Sequence, residues 1–126
     1  MTHVLDEPRR VEKPWGYELI WADTQSYVGK ILHVAAGEAL SLQYHEIKDE
    51  TLFLLTGRLL LQTGPSLAKL TDYEMIAGQC FRIRAKTIHR MVATVDCDIL
   101  EVSTPHLDDV VRLEDRYGRI ESPSES

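Results

Sequence analysis

The segment that decides the fold of this chain runs from Gly37 to Gly57 and has the sequence GEALSLQYHEIKDETLFLLTG. Gln43 and His45 are two positions apart in it, so a β-strand would carry both side chains on one face. Glu50 follows a short polar break and begins a second apolar run, Thr51–Leu55. Small β-barrels build a metal or ligand pocket where strands direct polar groups toward a common interior. The segment therefore predicts such a pocket.

A second histidine, His89, lies near the end of the strand-like run FRIRAKTIHR, at positions 81–90. It is a candidate for the closing ligand of the pocket, supplied from a distant strand. The alternative is that a single histidine in a half-apolar strand is only a hydrogen-bonded core or surface residue. The pocket is favoured because four groups of ligand type fall at strand ends, each beside turn signals.

Composition and charge exclude several classes of protein. The 126 residues suit one domain with one core, and the hydrophobic fraction of 44% predicts a globular chain. The net charge of −6 argues against a nucleic-acid binder, which needs a basic face. We find no apolar run of membrane-spanning length and no signal peptide, so a cytoplasmic protein is expected. Cys80 and Cys97 are isolated and are expected to be reduced.

The spacing of turn signals predicts eight or more short strands, with no sustained helical period before the tail. This is the pattern of an all-β sandwich or barrel. Gly57 is expected to lie in a tight hairpin turn. We expect an N-terminal arm at 1–12, one domain at 13–119 and a disordered tail at 120–126. The end of that domain, from Asp108 onward, is expected to be helical for a turn, or irregular.

Two motifs point to a known family. The run Leu40-Ser41-Leu42-Gln43-Tyr44-His45 and the tail Val111-Arg112-Leu113-Glu114-Asp115-Arg116-Tyr117-Gly118-Arg119 together resemble the cupin superfamily. Within it, the chain is similar to the small single-domain relatives of phosphomannose isomerase. The resemblance covers positions 13–119. It implies an all-β double-stranded β-helix, also called a jelly roll or cupin barrel, and a homodimer.

The resemblance implies a metal site, with one departure from the usual pattern. Ile47 stands where cupins usually have a second histidine, and Gln43 replaces it if the site follows the glutamine-containing zinc set of the two-domain phosphomannose isomerases. The implied ligands are Gln43, His45, Glu50 and His89. Such a set suits a divalent metal, with zinc as the first expectation and iron, manganese or nickel as alternatives.

The implied reaction is an aldose–ketose isomerisation, which needs a base and positive groups that stabilise an enediolate. Glu101 is the candidate base because it lies on an apolar strand, where desolvation would raise its pKa. The alternative is that Glu101 faces solvent. Arg112 and Lys30 are the candidate catalytic cations. We assign substrate binding to Lys86 and Arg90.

Three functional hypotheses follow. The first is a metal-dependent isomerase or epimerase whose small-molecule substrate is a sugar or sugar phosphate. The second is a non-catalytic cupin that binds a sugar or a small acid. The third is a metal-dependent oxygenase, against which Ile47 argues, because such cupins usually keep the histidine pair. No nucleic acid or membrane is expected as a partner.

Overall fold

Alternating apolar and polar side chains produce eleven β-strands in the computed structural model, which describes residues 5–120. A one-turn 3₁₀ helix, Leu67–Lys69, is the helical element of this range. Within residues 5–120, no helix has the length and apolar character needed to cross a bilayer. The strands are β1 (Arg9–Lys13), β2 (Gly16–Asp23), β3 (Val28–Val34), β4 (Leu42–Tyr44), β5 (Glu50–Thr56), β6 (Arg58–Gly64), β7 (Thr71–Ile76), β8 (Cys80–Ile83), β9 (Ile88–Ala93), β10 (Cys97–Ser103) and β11 (Val111–Glu114).

The strands form two antiparallel sheets. The first has the order β1-β2-β3-β10-β5-β8, and the second has the order β11-β4-β9-β6-β7. Large apolar side chains from both sheets meet between them and are fully buried, which stabilises the fold by about 1.5–3 kcal/mol for each such side chain. The core includes Leu32, Leu52, Leu54, Leu59, Leu61, Ile83, Met91 and Ile99. The prediction of an all-β cupin barrel is confirmed.

The inward faces of three strands also carry charged groups. In β3, Lys30 shares the buried face with Leu32, because side chains two positions apart point to the same side of a strand. Glu101 alternates in the same way with Ile99 on β10, so its side chain points inward and not to solvent. Glu50 is the first residue of β5 and is buried as well. The fold therefore brings charged side chains to one end of the apolar core.

The predicted hairpin at Gly57 is wrong. The strands on its two sides belong to different sheets, because β5 pairs with β8 and β10 whereas β6 pairs with β7 and β9. Gly57 is the corner at which the chain passes from one sheet to the other, with a backbone φ of +101°. Local sequence could not distinguish this corner from a hairpin, because both need a glycine with a positive φ.

The C-terminal tail contains a strand where a helical turn was one expectation, so that expectation is wrong. Val111–Glu114 forms β11 at the edge of the second sheet, where it pairs with β4 and places Arg112 opposite Gln43. The unpaired edge of β4 supplies backbone partners that a local helical turn could not offer. The predicted boundary between the N-terminal arm and the domain, at 12/13, falls within β1. The predicted disordered tail lies outside the described residues from position 121 onward.

Replacing Gly57 with alanine is expected to destabilise the fold more than the same change at Gly37. Both glycines have positive φ values, which cost about 1–2 kcal/mol with any other residue. At Gly57 an added Cβ would also lie 2.4 Å from the carbonyl oxygen of Asp96, whereas at Gly37 it would meet no atom within 4 Å. Urea unfolding should show an extra loss of about 1–3 kcal/mol for Gly57→Ala. Equal losses in the two variants would contradict this account.

Candidate functional site

A cavity of about 300 Å³ lies at one end of the core and is lined from both sheets. Three of the four predicted metal ligands, Gln43, His45 and Glu50, line it, and His89 lies beside them. Gln43 lies on β4, His45 follows that strand, Glu50 opens β5 and His89 lies on β9. The register of the second sheet places Gln43 directly opposite His89.

Three of these ligands form a tight buried cluster. Glu50 Oε1 lies 3.7 Å from His45 Nε2 and 3.6 Å from His89 Nε2. One ligand atom from each residue lies within 4.8 Å of the others, and all three side chains are buried. These separations are too long for direct hydrogen bonds, and they leave room for an ion between the three atoms.

Backbone carbonyls determine the tautomers of both histidines. His45 Nδ1 lies 2.5 Å from the carbonyl oxygen of Asp109, and His89 Nδ1 lies 2.9 Å from that of Thr87. A carbonyl oxygen only accepts, so each Nδ1 carries a proton, and in the neutral form of each ring Nε2 presents its lone pair toward Glu50. Burial lowers the pKa of His89 to about 4, so this imidazole is neutral at pH 7.

The cluster fits a divalent cation. Nε2 of His45 is buried and has no hydrogen-bond partner, and it faces a second lone pair and a carboxylate. Burial alone would raise the pKa of Glu50, but the ammonium of Lys48, 3.0 Å away, helps to hold it well below its ordinary value, so this carboxylate is ionised. Three electron-rich atoms with no proton between them repel one another unless a positive charge lies among them.

Gln43 lies beside this cluster as a candidate fourth ligand. Its Nε2 is 3.5 Å from His89 Nε2, while its Oε1 accepts a hydrogen bond from the hydroxyl of Ser41 at 2.6 Å. A half-turn of the amide would direct Oε1 to the cluster and let Nε2 donate to the Ser41 oxygen. Ser41 can serve either orientation because a hydroxyl both donates and accepts.

Lys48 joins the cluster to the candidate base. Its Nζ lies 3.0 Å from Glu50 Oε2 and 3.0 Å from Glu101 Oε2, and all three side chains are buried. Burial lowers the pKa of Lys48, but the two carboxylates outweigh it and the net pKa is raised. Burial and the charge of Glu50 raise the pKa of Glu101, despite the opposing effect of Lys48 and Lys30.

The cavity also gathers cations from distant segments. Lys30, which pairs with Glu18 at 3.3 Å, lines it together with Arg112. Lys13 from β1 and Arg119 from the tail line it too. Burial lowers the pKa of Lys13, and Lys30, Arg119 and Arg112 lower it further, despite the opposing effect of Glu18.

The two predicted substrate-binding residues are not brought to this cavity. Lys86 has a φ of +67° in a turn, where its backbone N–H donates to the carbonyl of His45 at 2.6 Å. The guanidinium of Arg90 donates to Glu114 at 2.6 Å, and neither Lys86 nor Arg90 lines the cavity.

Lys48 is one of the site residues that the sequence analysis missed. We interpreted it as part of a polar break, but it precedes Glu50 by two positions, and that spacing would have placed both on one side of an extended chain. Lys13 and Arg119 carried no such signal, because only the sheet order and the position of the tail bring them to the cavity.

The fold and the histidine–glutamate cluster at the end of its barrel define the protein as a cupin. The chain belongs to the family described as mannose-6-phosphate isomerase C-terminal, whose model matches residues 2–115. This chain is 34% identical, over 121 residues, to mannose-1-phosphate guanylyltransferase ManC of Salmonella typhimurium. The match covers 89% of this chain and 23% of ManC.

Solved structures share the fold at low sequence identity. KdgF from Halomonas sp. superposes with a TM-score of 0.66 and 17% identity, covering 77% of this chain and 86% of that one. Bacillus subtilis oxalate decarboxylase, in a study of its Mn(II) centres, gives a TM-score of 0.72 and 18% identity, covering 86% of this chain and 30% of that one. At this identity they establish the barrel, and not a shared reaction.

Replacing Lys48 with methionine is expected to lower the unfolding free energy of the metal-free protein by about 3–5 kcal/mol, because Glu50 and Glu101 would lose their shared buried counter-ion. The pKa of Glu101 would rise further, so the folded variant would bind a proton more readily than the unfolded chain. Its stability deficit should therefore shrink as the pH is lowered from 8 toward 5.

Urea unfolding of Lys48→Met measures this deficit, with the exposed Lys69→Met as the matched control. Adding Glu101→Gln to Lys48→Met should recover part of the loss, because it removes one unpaired charge. A loss below about 1 kcal/mol, within the range of exposed pairs, would contradict a buried ion-pair role for Lys48.

Proposed function

We propose that this chain is a metal-dependent cupin that acts on a sugar or sugar phosphate, as an aldose–ketose isomerase or an epimerase. The observation that carries the proposal is the buried convergence of the His45 and His89 lone pairs with the Glu50 carboxylate. Membership of the isomerase-related family directs the choice of substrate class. The chain spans 23% of the length of its Salmonella relative, so the activity of that whole protein is not carried over.

His45, Glu50 and His89 are the proposed metal ligands, with the amide oxygen of Gln43 as the fourth. Zinc is the first expectation, because neutral imidazoles with a carboxylate suit it and leave a position for water or substrate. Manganese is the main alternative, and iron or nickel are also compatible with these donors. When bound, the metal would polarise a carbonyl oxygen of the substrate.

Glu101 is the proposed base. In the isomerisation, it takes a proton from the hydroxyl-bearing carbon and returns it to the former carbonyl carbon, while a second proton passes from the hydroxyl oxygen to the carbonyl oxygen. No oxidant or reductant is needed. The raised pKa of Glu101 suits a group that must hold a proton briefly. Lys48, at 3.0 Å, supplies the charge that keeps Glu101 oriented between these transfers.

Cations that line the same cavity support a negatively charged substrate. Lys13, Lys30, Arg112 and Arg119 share one cavity, and Lys13 has a pKa lowered by burial and by the other three. A phosphate or carboxylate would relieve this crowding of like charges. We therefore assign the substrate anion to these four residues, while Lys86 and Arg90 lie outside the cavity.

A non-catalytic sugar- or acid-binding cupin is the second candidate. It is favoured by the ion pair between Glu101 and Lys48, since a carboxylate held by an ammonium at 3.0 Å is a weaker base. The two functions share the metal and the anion site, and they differ only in turnover.

Protein purified without chelators or affinity-tag metal is expected to contain close to one equivalent of divalent metal. His89→Ala should lose it, because one of three convergent ligands is removed. His33→Ala is the matched control, since His33 pairs with Asp98 on the outer face of the first sheet. Elemental analysis of the three proteins measures the content. Absence of metal from all three, even after refilling, would contradict the proposed centre.

Isomerisation of mannose 6-phosphate, followed in a coupled assay, is expected to require the metal. Glu101→Gln should lower kcat by 100-fold or more, because general base catalysis typically contributes that much. Glu74→Gln, at an exposed position of β7, is the control. Unphosphorylated mannose should bind more weakly, because it cannot engage the four cations. Saturable binding of mannose 6-phosphate without turnover would instead favour the binding function.

A further inference from the structure

Asp109 connects the segment before β11 to the ligand-bearing loop more than sixty positions earlier in the chain. Its Oδ1 accepts a hydrogen bond from the backbone N–H of Glu46 at 2.9 Å. Its Oδ2 accepts from the N–H groups of Ile47 at 2.8 Å and Lys48 at 2.9 Å. Three consecutive backbone donors thus surround one carboxylate, which fixes the course of the loop between His45 and Glu50.

The same residue also holds the imidazole of His45. The backbone carbonyl of Asp109 accepts from His45 Nδ1 and so directs Nε2 toward Glu50. His89 is oriented separately, by the carbonyl of Thr87. The two histidines of the cluster therefore depend on different anchors, and only the anchor of His45 lies in a distant segment.

We propose that Asp109 is a positioning residue of the site. Its carboxylate fixes the loop that places Lys48 between Glu50 and Glu101, and it thereby holds its own carbonyl where His45 must donate. The assignment of His45 as a metal ligand rests on the proposed function, but the positioning of the imidazole does not.

The chemistry of the side chain explains why this position requires a carboxylate. A carboxylate only accepts, so both of its oxygens serve the three N–H groups. An asparagine would keep one accepting oxygen and would direct an NH₂ group at one or two backbone donors. The isosteric change Asp109→Asn therefore removes hydrogen bonds and adds a donor–donor contact without changing the volume.

The segment that carries Asp109 also forms a wall of the cavity. Leu107, Asp108 and Val110 line it. A displacement of this segment would therefore move both the cavity wall and the loop that bears Lys48. Asp49 provides a matched control, because it lies in the loop between His45 and Glu50 but directs its carboxylate outward to Arg82, at 2.6 Å.

The first test is ¹⁵N NMR of the histidine rings in the metal-free protein. The parent and Asp49→Asn should show His45 as one tautomer with the proton on Nδ1. In Asp109→Asn, the His45 nitrogens should shift toward the average of the two tautomers, while those of His89 stay unchanged. Unchanged His45 signals in folded Asp109→Asn would overturn the proposal, whether or not the protein binds metal.

The second test is metal affinity, measured by competition with a chelator, together with the absorption spectrum of the Co²⁺-loaded protein. Loss of an orienting partner typically weakens metal binding 10–100-fold, so Asp109→Asn should lose at least tenfold and show a changed Co²⁺ spectrum. Asp49→Asn should match the parent. A variant that is less stable but keeps the parental affinity and spectrum would reduce Asp109 to a structural role and overturn the proposal.

Asp109→Glu covers the case in which Asp109→Asn does not fold. It keeps the charge and moves the carboxylate by one methylene group, so it should fold with the same changes at a smaller magnitude. If the parent protein binds no metal, the proposed metal centre is contradicted. The ¹⁵N signals of His45 then still decide whether Asp109 positions that imidazole. Parental His45 signals in folded Asp109→Glu would then count against it.

Discussion

A carboxylate buried between two sheets must have its charge compensated, and Lys48 is the buried counter-ion of Glu50. Lys48 lies 3.0 Å from one of its oxygens, and two imidazole nitrogens face the other. These partners come from the loop before β5 and from β9 of the second sheet. An unpaired buried charge costs several kcal/mol, so the site and the packing of the barrel depend on one another.

This dependence accounts for the division of the barrel into an apolar and a charged end. Within single strands, the inward face changes from charged to apolar side chains, as from Glu50 to Leu52 on β5 and from Glu101 to Ile99 on β10. The apolar end supplies the stability that allows the other end to hold closely spaced like charges. A chain with a net charge of −6 thereby presents a cavity rich in cations.

Long-range contacts complete the site. The tail contributes β11, which places Arg112 beside Gln43, and the segment before it contributes Asp109, which holds the ligand loop. The chain matches 23% of the length of its relative ManC, so in that protein the matching part adjoins other sequence. The contacts described here show that the elements of the site lie within residues 5–120 of this chain.

The sequence by itself determined the all-β class and the four candidate ligands, because a two-residue period and polar residues at strand ends are local signals. Gln43, His45, Glu50 and His89 do meet in the structure. Only the tertiary structure decided that Gly57 is a corner between sheets, that Lys48 and Glu101 form a buried pair, and that Lys13 and Arg119 line the cavity in place of Lys86 and Arg90. The physical reason is that strand order, sheet crossing and the path of the tail depend on pairings between distant segments, which no local pattern encodes.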